Sequence, residues 1–351
     1  MKFHLVSGAC GFVGRNTVKQ LLNRTKDAVI MVDDLSVGTH PSTWLQDTAA
    51  KKLKDIEIFG KEERLFFFKT DFRKFLTKIQ EEPKWLETEY GLKIDRFGDA
   101  FHFAAIVGGR AKIEGDPMAV ALDLAIDAEF FNWIAKAKPE RVLYPSSSAA
   151  YPINMQTESQ AVALKEEDIN IDGYTLGMPD LTYGWTKMTG EFLAKIAARN
   201  YGISIACIRP FSGYGEDQDL TYPVPAIAMR AAKKEDPFVV WGTGKQGRDF
   251  VHIDDVMDCM FLAMDKIHDG TAINIGSGSL TSFIDLIKVF SGFAGYEPAI
   301  KPLVDKPMGV HSRYCDMTFV KETLGWEPKI SLEEGMKRVY EIAVHRLRGQ
   351  R

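Results

Sequence analysis

The sequence predicts an α/β protein: a doubly wound parallel sheet with a smaller C-terminal lobe. Three observations predict it. Phe3 to Ser7 is a short apolar run followed at once by a glycine turn and a helix. Strand-length apolar runs then alternate with helical segments as far as Ile208. From Phe211 the alternation loosens, and glycine, proline and loop aromatics become frequent. Strands that alternate with helices imply parallel pairing, with connections on both faces of the sheet. At 351 residues, 45% of them hydrophobic, the chain is long enough for a large core and two lobes. The expected division is 1–210 and 211–351, with a segment near 240–275 returning to the first lobe.

The opening βαβ unit is the strongest local signal. The turn Gly8-Ala9-Cys10-Gly11-Phe12-Val13-Gly14 leads into a helix through Leu21-Leu22, then a strand, Ala28 to Val32, ending on Asp33-Asp34. Glycines in such a turn let the backbone approach a pyrophosphate, and the helix N-terminus offers N–H groups and a positive dipole end. An acid about 20 residues beyond the turn suits a ribose 2′-hydroxyl. A carboxylate there also repels the extra phosphate of NADP, so the expected cofactor is NAD. Its candidate contacts are Gly8, Gly11, Phe12, Val13, Gly14, Asp33 and Asp34.

Residues 42–62 are polar and read as helical. Leu65 to Lys69 reads as a strand ending at Thr70-Asp71-Phe72, and 73–96 as a charged helical segment. Ala100 to Ala105 reads as a strand, 117–137 as a helix, and Arg141 to Tyr144 as a strand running into Pro145-Ser146-Ser147-Ser148-Ala149-Ala150-Tyr151. Ile203 to Ile208 is a further strand. Phe238 to Gly244 reads as a strand and turn, Arg248 to Val256 opens a helix, and Ala272 to Ile275 is the strand expected to rejoin the sheet. Phe66-Phe67-Phe68 and His4 are expected in the core, and His102 is expected to line the cofactor site.

Tyr183 and Lys187 stand four residues apart at the head of a helix marked by Met188, Phe192 and Ile196 and stopped at Tyr201-Gly202. Residues i and i+4 share a helix face. A phenol beside an ammonium ion loses its proton more easily, because the neighbouring charge stabilises the phenolate. An unperturbed tyrosine titrates near about 10 and needs that help to act as a base near neutrality.

Composition excludes other classes. The formal net charge of −4 gives no reason to expect a nucleic-acid partner. Cys10, Cys207, Cys259 and Cys315 are dispersed, so no zinc knuckle or redox pair forms in sequence, and no metal is expected. Dispersed thiols fit a reducing compartment. The N-terminus runs straight into the glycine motif and leaves no room for a signal peptide. No apolar run reaches membrane-spanning length. A soluble, cytoplasmic protein is expected.

These motifs, together with His102-x-Ala104-Ala105, Arg209-Pro210 and Arg248-Asp249-Phe250-Val251-His252, resemble the extended short-chain dehydrogenase/reductases, in their nucleotide-sugar epimerase/dehydratase group. The resemblance covers nearly the whole chain and implies a Rossmann domain over 1–210 and a mainly nucleotide-sugar-binding lobe over 211–351. It implies that Tyr183 deprotonates a sugar hydroxyl, that Ser147 hydrogen-bonds the same oxygen, and that Lys187 holds the nicotinamide ribose. It implies adenine contacts from Asp71 and Phe72, further cofactor contacts from Ala104, Ala105 and Pro210, and substrate contacts from Val107, Ser148 and Ser212. Arg248 and Arg313 would bind the diphosphate, a task suited to the bidentate guanidinium fork.

Lys306 to Arg313, Val107-Gly108-Gly109 and Tyr151-Pro152 are similar to GDP-mannose 3,5-epimerases and GDP-fucose synthases. Ala149 stands where those enzymes carry a cysteine, and Tyr222-Pro223-Val224-Pro225 where they carry a histidine or lysine. The acid pair of the dehydratases is also missing after Ser147. The resemblance therefore implies an NAD-dependent C4 epimerase acting through a transient keto sugar, or a dehydrogenase or keto-sugar reductase without epimerisation. A non-catalytic NAD-binding regulator is a remote third reading. A GDP-sugar substrate and a homodimer are expected from the same likeness.

Overall fold

The structure, a computed structural model, describes residues 1–45, 51–60, 62–106, 110–174, 176–306 and 309–349. The chain runs β1 (Phe3–Ser7), α1 (Phe12–Arg24), β2 (Ala28–Asp33), β3 (Lys51–Leu53), β4 (Ile56–Phe59), β5 (Leu65–Lys69), α2 (Phe72–Glu81), α3 (Trp85–Tyr90) and β6 (Asp99–His102). It continues with α4 (Arg110–Gly115), α5 (Pro117–Ala121), α6 (Asp123–Ala137), β7 (Arg141–Pro145), α7 (Leu181–Tyr201) and β8 (Ile205–Pro210). Next come β9 (Ser212–Tyr214), α8 (Pro223–Ala232), β10 (Phe238–Trp241), β11 (Gly247–Arg248), β12 (Phe250–His252), α9 (Ile253–Lys266) and β13 (Asp269–Ile275). The chain closes with β14 (Thr281–Ser282), α10 (Phe283–Ala294), β15 (Ile300–Leu303), β16 (Ser312–Arg313), α11 (Thr318–Leu324) and α12 (Leu332–Gly349).

Among the described residues the main sheet is ordered β13-β8-β7-β6-β1-β2-β5-β4-β3. Every pairing from β13 to β5 is parallel. Such strands are buried on both faces and read as continuous apolar runs, as Val29, Ile30, Met31 and Val32 do. Two apolar layers sandwich the sheet. One gathers Val6, Met31, Phe67 and Phe101 beneath α1 and α9; the other gathers Leu5, Ile30, Phe66 and Phe68 beneath α2, α6 and α7. The run Phe66-Phe67-Phe68 thus serves both faces, one ring to each side in turn. Burying each such ring contributes roughly 1.5–3 kcal/mol.

Local departures from the sequence reading have local causes. Residues 42–62 read as helical, but among the described ones stand the end of a 3₁₀ turn at Pro41–Thr43 and the antiparallel β3–β4 hairpin. Ile56 and Ile58 alternate with Glu57, a period of two that matches a strand with one buried face. The 73–96 segment is two helices, since Pro83 interrupts it and Gly91, with φ +72°, closes the second. The helix over 117–137 is split at Leu122.

β13 lies beside β8 at the open edge of the sheet. There Glu166 Oε1 accepts the Asn274 backbone N–H at 2.9 Å. A separate apolar core lies beyond β8, in which Tyr214, Phe238, Phe250, Leu286, Phe290 and Met336 join α8, α10 and α12.

Candidate active site

The glycine turn forms a cradle that no side chain could enter. Gly8 has φ +61°, and a Cβ there would lie 2.6 Å from the Phe103 carbonyl carbon. A Cβ on Gly14 would lie 2.1 Å from the Gly8 carbonyl oxygen. Gly11 occupies the N-cap of α1 and supplies no side chain to the first-turn N–H groups, leaving that end suited to an anion. Phe12 and Val13 form the first turn, half-buried.

Asp33 ends β2 facing this turn. Its Oδ2 accepts the Cys10 N–H at 2.9 Å and its Oδ1 the Leu35 N–H at 2.8 Å. Burial lifts its carboxyl above the usual carboxylate range, against the pull of those N–H groups. Asp33 therefore braces the glycine turn. Asp34 is exposed and accepts the Ser36 N–H at 2.8 Å. These features fit a dinucleotide.

Tyr183 and Lys187 lie in the first two turns of α7. Lys187 Nζ is 5.8 Å from the Tyr183 ring centroid and 5.3 Å from that of Tyr144. Lys187 is buried. Desolvation opposes its charge, but Asp127, Tyr183 and Asp123 outweigh that and leave its ammonium above its ordinary pKa. Asp127 itself takes 2.9 Å and 2.6 Å bonds from His102 Nε2 and Tyr144 Oη. Burial would raise its carboxyl, yet Lys187, His102 and Tyr144 together hold it below the usual range. Gly190 makes this layer possible, because a Cβ there would fall 1.8 Å from the Tyr144 hydroxyl.

His102, expected to line the cofactor site, lies one layer beneath it. It is 1% exposed, stacked on Phe130 at 4.1 Å, with Nδ1 3.0 Å from Ser7 Oγ. Burial lowers its pKa and keeps the ring neutral. Ser7 Oγ in turn accepts the Phe103 and Ala104 N–H groups, both at 3.1 Å, fixing the strand end from which half-buried Ala105 follows.

Ser147 caps a 3₁₀ turn over Ser148–Ala150, its Oγ accepting the Ala149 N–H at 3.1 Å. The head of α7 rests on this turn: Asp180 N–H donates to the Ala149 carbonyl at 2.9 Å, and a Cβ on Gly184 would stand 2.3 Å from the same oxygen. The serine turn and the tyrosine helix thus meet backbone to backbone. Ser148 is buried, and Ser146 Oγ donates to Glu191. Glu191 also holds Arg209 through two 2.8 Å bonds.

Arg248 and Arg313 are Cα partners on the parallel strands β11 and β16, so their side chains leave the ladder on the same face. Arg248 donates to the Gly247 and Val310 carbonyls at 2.7 and 3.0 Å. Arg313 donates from Nε to Gln156 Oε1 at 2.6 Å and from Nη2 to Asp180 Oδ2 at 2.8 Å. Ser212 starts β9 and donates its N–H to the Asp249 carbonyl at 2.8 Å, while Pro210 ends β8. Asp71 caps α2 and pairs with Arg73 at 3.0 Å. Phe72, expected with Asp71 to contact adenine, opens α2 and packs its ring on His102 and Phe130. Val107 lies outside the described residues.

Four residues that sequence reasoning passed over complete the site. Asp127 carried a signal: with Asp123 it forms an i,i+4 acidic pair on the buried face of an apolar helix. Asp249, fully buried, accepts from the Ser277 N–H and Oγ at 2.6 Å each, the Gly278 N–H at 3.0 Å and the Cys315 N–H at 3.2 Å. It ties the Arg248 strand to the Arg313 strand. Asp180 and Gln156 carried no signal, because their partners lie far away in the chain. Among the described residues no group of His, Cys, Asp and Glu could hold a metal ion.

A glycine cradle, a bracing acid and a helix-borne Tyr-Lys pair on a doubly wound sheet define a dinucleotide-dependent enzyme. Residues 4–276 match the profile of the NAD dependent epimerase/dehydratase family, and the chain belongs to that family. It is 28% identical over 344 residues to a putative UDP-glucose 4-epimerase of Methanocaldococcus jannaschii, covering 95% of this chain and 96% of the relative. It is 29% identical over 247 residues to GDP-mannose 3,5-epimerase of Arabidopsis thaliana, covering 68% and 63% of the two chains. The UDP-glucose 4-epimerase of Thermotoga maritima, solved with UDP-glucose, superimposes with a TM-score of 0.76 at 26% identity, over 98% of this chain and 99% of that one. The protein is an NAD-dependent enzyme with a Rossmann-type sheet.

Proposed function

We propose that the protein is a nucleotide-sugar 4-epimerase, with a UDP-hexose as the first substrate to test. The observation that carries this reading is the Tyr183–Lys187 pair over Asp127, set against the Ser147 turn and beside the glycine cradle. When bound, NAD supplies an acceptor and donor of hydride. Tyr183 takes the proton of the sugar hydroxyl as that carbon is oxidised, and returns it when the other face is reduced. Lys187, kept cationic by Asp127, stabilises the phenolate. Ser147 donates a hydrogen bond to the same sugar oxygen. Arg248 and Arg313 hold the diphosphate from the second lobe, which we assign to 211–351 against a cofactor lobe of 1–210 joined by β13.

The full-length relatives named for UDP-glucose favour uridine as the base. The GDP sugar expected from the sequence is the second reading, supported by the 29% identity to GDP-mannose 3,5-epimerase. Against 3,5-epimerisation stands Ala149, buried at the serine turn where the similar enzymes carry cysteine. A homodimer fits the exposed Trp185 and Phe192 on one face of α7, near exposed Leu124 on α6. No helix among the described residues is long and apolar enough to cross a membrane, and all four cysteines are free and buried, which suits a cytoplasmic setting.

The test is incubation with UDP-, GDP-, dTDP- and CDP-sugars, following reduced nicotinamide by absorbance and sugar products by chromatography. An isomeric sugar without net reduced cofactor is the expected result. Net reduced cofactor would make the protein a dehydrogenase, and neither change would leave the regulator.

A further inference from the structure

Asp180 occupies the N-cap of α7 yet makes no capping bond to that helix. An N-cap aspartate ordinarily accepts an N–H from the first helical turn. Here the carboxylate faces Arg313 in a pair that is almost wholly buried, at side-chain exposures of 8% and 12%. The next residue, Leu181, has φ +54°, a left-handed conformation that β-carbon sterics disfavour. Tyr183 follows two residues later. The first turn of the tyrosine helix is therefore held in a strained entry by a neighbour on the far side of the cleft. Arg313 is also bonded to Gln156, whose side-chain amide donates to the Tyr151 and Pro152 carbonyls just beyond the serine turn. One guanidinium thus ties together the serine turn, the head of α7 and the strand paired with Arg248.

We propose that Asp180 is a positioning residue that couples occupation of the diphosphate site to the placement of Tyr183. The proposal rests on the assignment of Arg313 to a nucleoside diphosphate. A diphosphate at Arg313 adds to the Asp180 pair, the guanidinium bridging phosphate and carboxylate, and the left-handed turn at Leu181 makes the head of α7 responsive to whether that bridge is complete. Phosphate occupancy is read at the tyrosine two residues beyond Leu181, so free sugar lacking the diphosphate would meet a poorly placed base.

The experiment uses the full-length protein with NAD and compares Asp180→Asn and Arg313→Lys with wild type. Turnover at saturating nucleotide sugar, KM, UDP and GDP affinity by calorimetry, and amide exchange over residues 182–186 with and without nucleoside diphosphate are measured. For Asp180→Asn, kcat should fall at least tenfold while nucleoside-diphosphate affinity stays within threefold, and the diphosphate-induced change in exchange should disappear. Arg313→Lys keeps a positive charge but loses the fork, so nucleoside-diphosphate affinity should fall at least tenfold, and at saturating diphosphate the change in exchange over residues 182–186 should still be absent. Should Asp180→Asn fail to fold, that exchange readout in Arg313→Lys carries the test. The proposal is overturned if kcat of Asp180→Asn stays within twofold of wild type, if its kcat and nucleotide affinity fall in parallel as for a purely structural residue, or if diphosphate-saturated Arg313→Lys shows the wild-type change in exchange. Wild type that binds neither UDP nor GDP would remove the proposed function and the coupling together. Wild type that binds and interconverts sugars beside a variant with unchanged turnover would remove the coupling alone.

Discussion

The two regions proposed to bind phosphate are built in opposite ways. The glycine cradle lies within one short turn, between β1 and α1, and is braced by Asp33 at the end of the next strand. The arginine pair brings together β11 and β16, distant in sequence, and depends on Asp249, Gln156 and Asp180 for its geometry. The first is backbone shape, in which a Cβ would clash. The second is side-chain charge, held in place by buried polar ties. A local cradle is damaged only by changes within it. A distributed one is damaged by changes at a hub that need touch no ligand.

The largest expected effect separates chemistry from both regions. Tyr183→Phe should cut turnover by about a thousandfold, within the usual range for a positioned acid–base group. NAD and UDP should still bind, as equilibrium titration would show. Substantial remaining activity would remove Tyr183 as the base. Next, Asp249→Ala should break the distributed region alone. Its donors at Ser277, Gly278 and Cys315 would lose their acceptor, costing about 2–4 kcal/mol in denaturant unfolding. UDP affinity should fall at least tenfold while NAD affinity changes less than twofold. Equal losses at both ligands would erase the contrast.

The smallest effect concerns pH and belongs to the cofactor half. His102 is held neutral by burial, and His4 likewise. As pH falls through about 6.5, the unfolded chain takes up protons that the folded chain resists, so stability declines below that point. Asp127, held below the usual carboxylate range, adds a further loss at lower pH. Thermal melts from pH 7.5 to 5 should show the decline, and His102→Gln should flatten part of it. A profile unchanged by that substitution would place the titration elsewhere.

The same contrast decides what could be read from the sequence. The parallel strands, the glycine turn with Asp33, and Tyr183 with Lys187 each lie in short windows whose periodicity or spacing reports their geometry. The β3–β4 hairpin was misread because polar Lys51, Lys52 and Lys54 masked the period-two burial of Ile56 and Ile58. Phe72 follows the motif acid, but its ring is drawn into the apolar layer with Phe130. Asp249 stands in a recognised motif, yet its donors belong to segments far along the chain, so only the fold reveals its load. Asp180 and Gln156 are invisible for the same reason.

The open flank of the sheet has its own consequence. An unpaired edge strand offers a row of amides on which a stray chain can grow. At β13 one of those amides is already occupied, by the carboxylate of Glu166, and the Asn274 side chain reaches the Leu164 carbonyl at 3.0 Å. A side-chain plug thus occupies part of the border where a further strand could otherwise dock, and it adds to the cover that α7 and α11 give this strand against fibrous association.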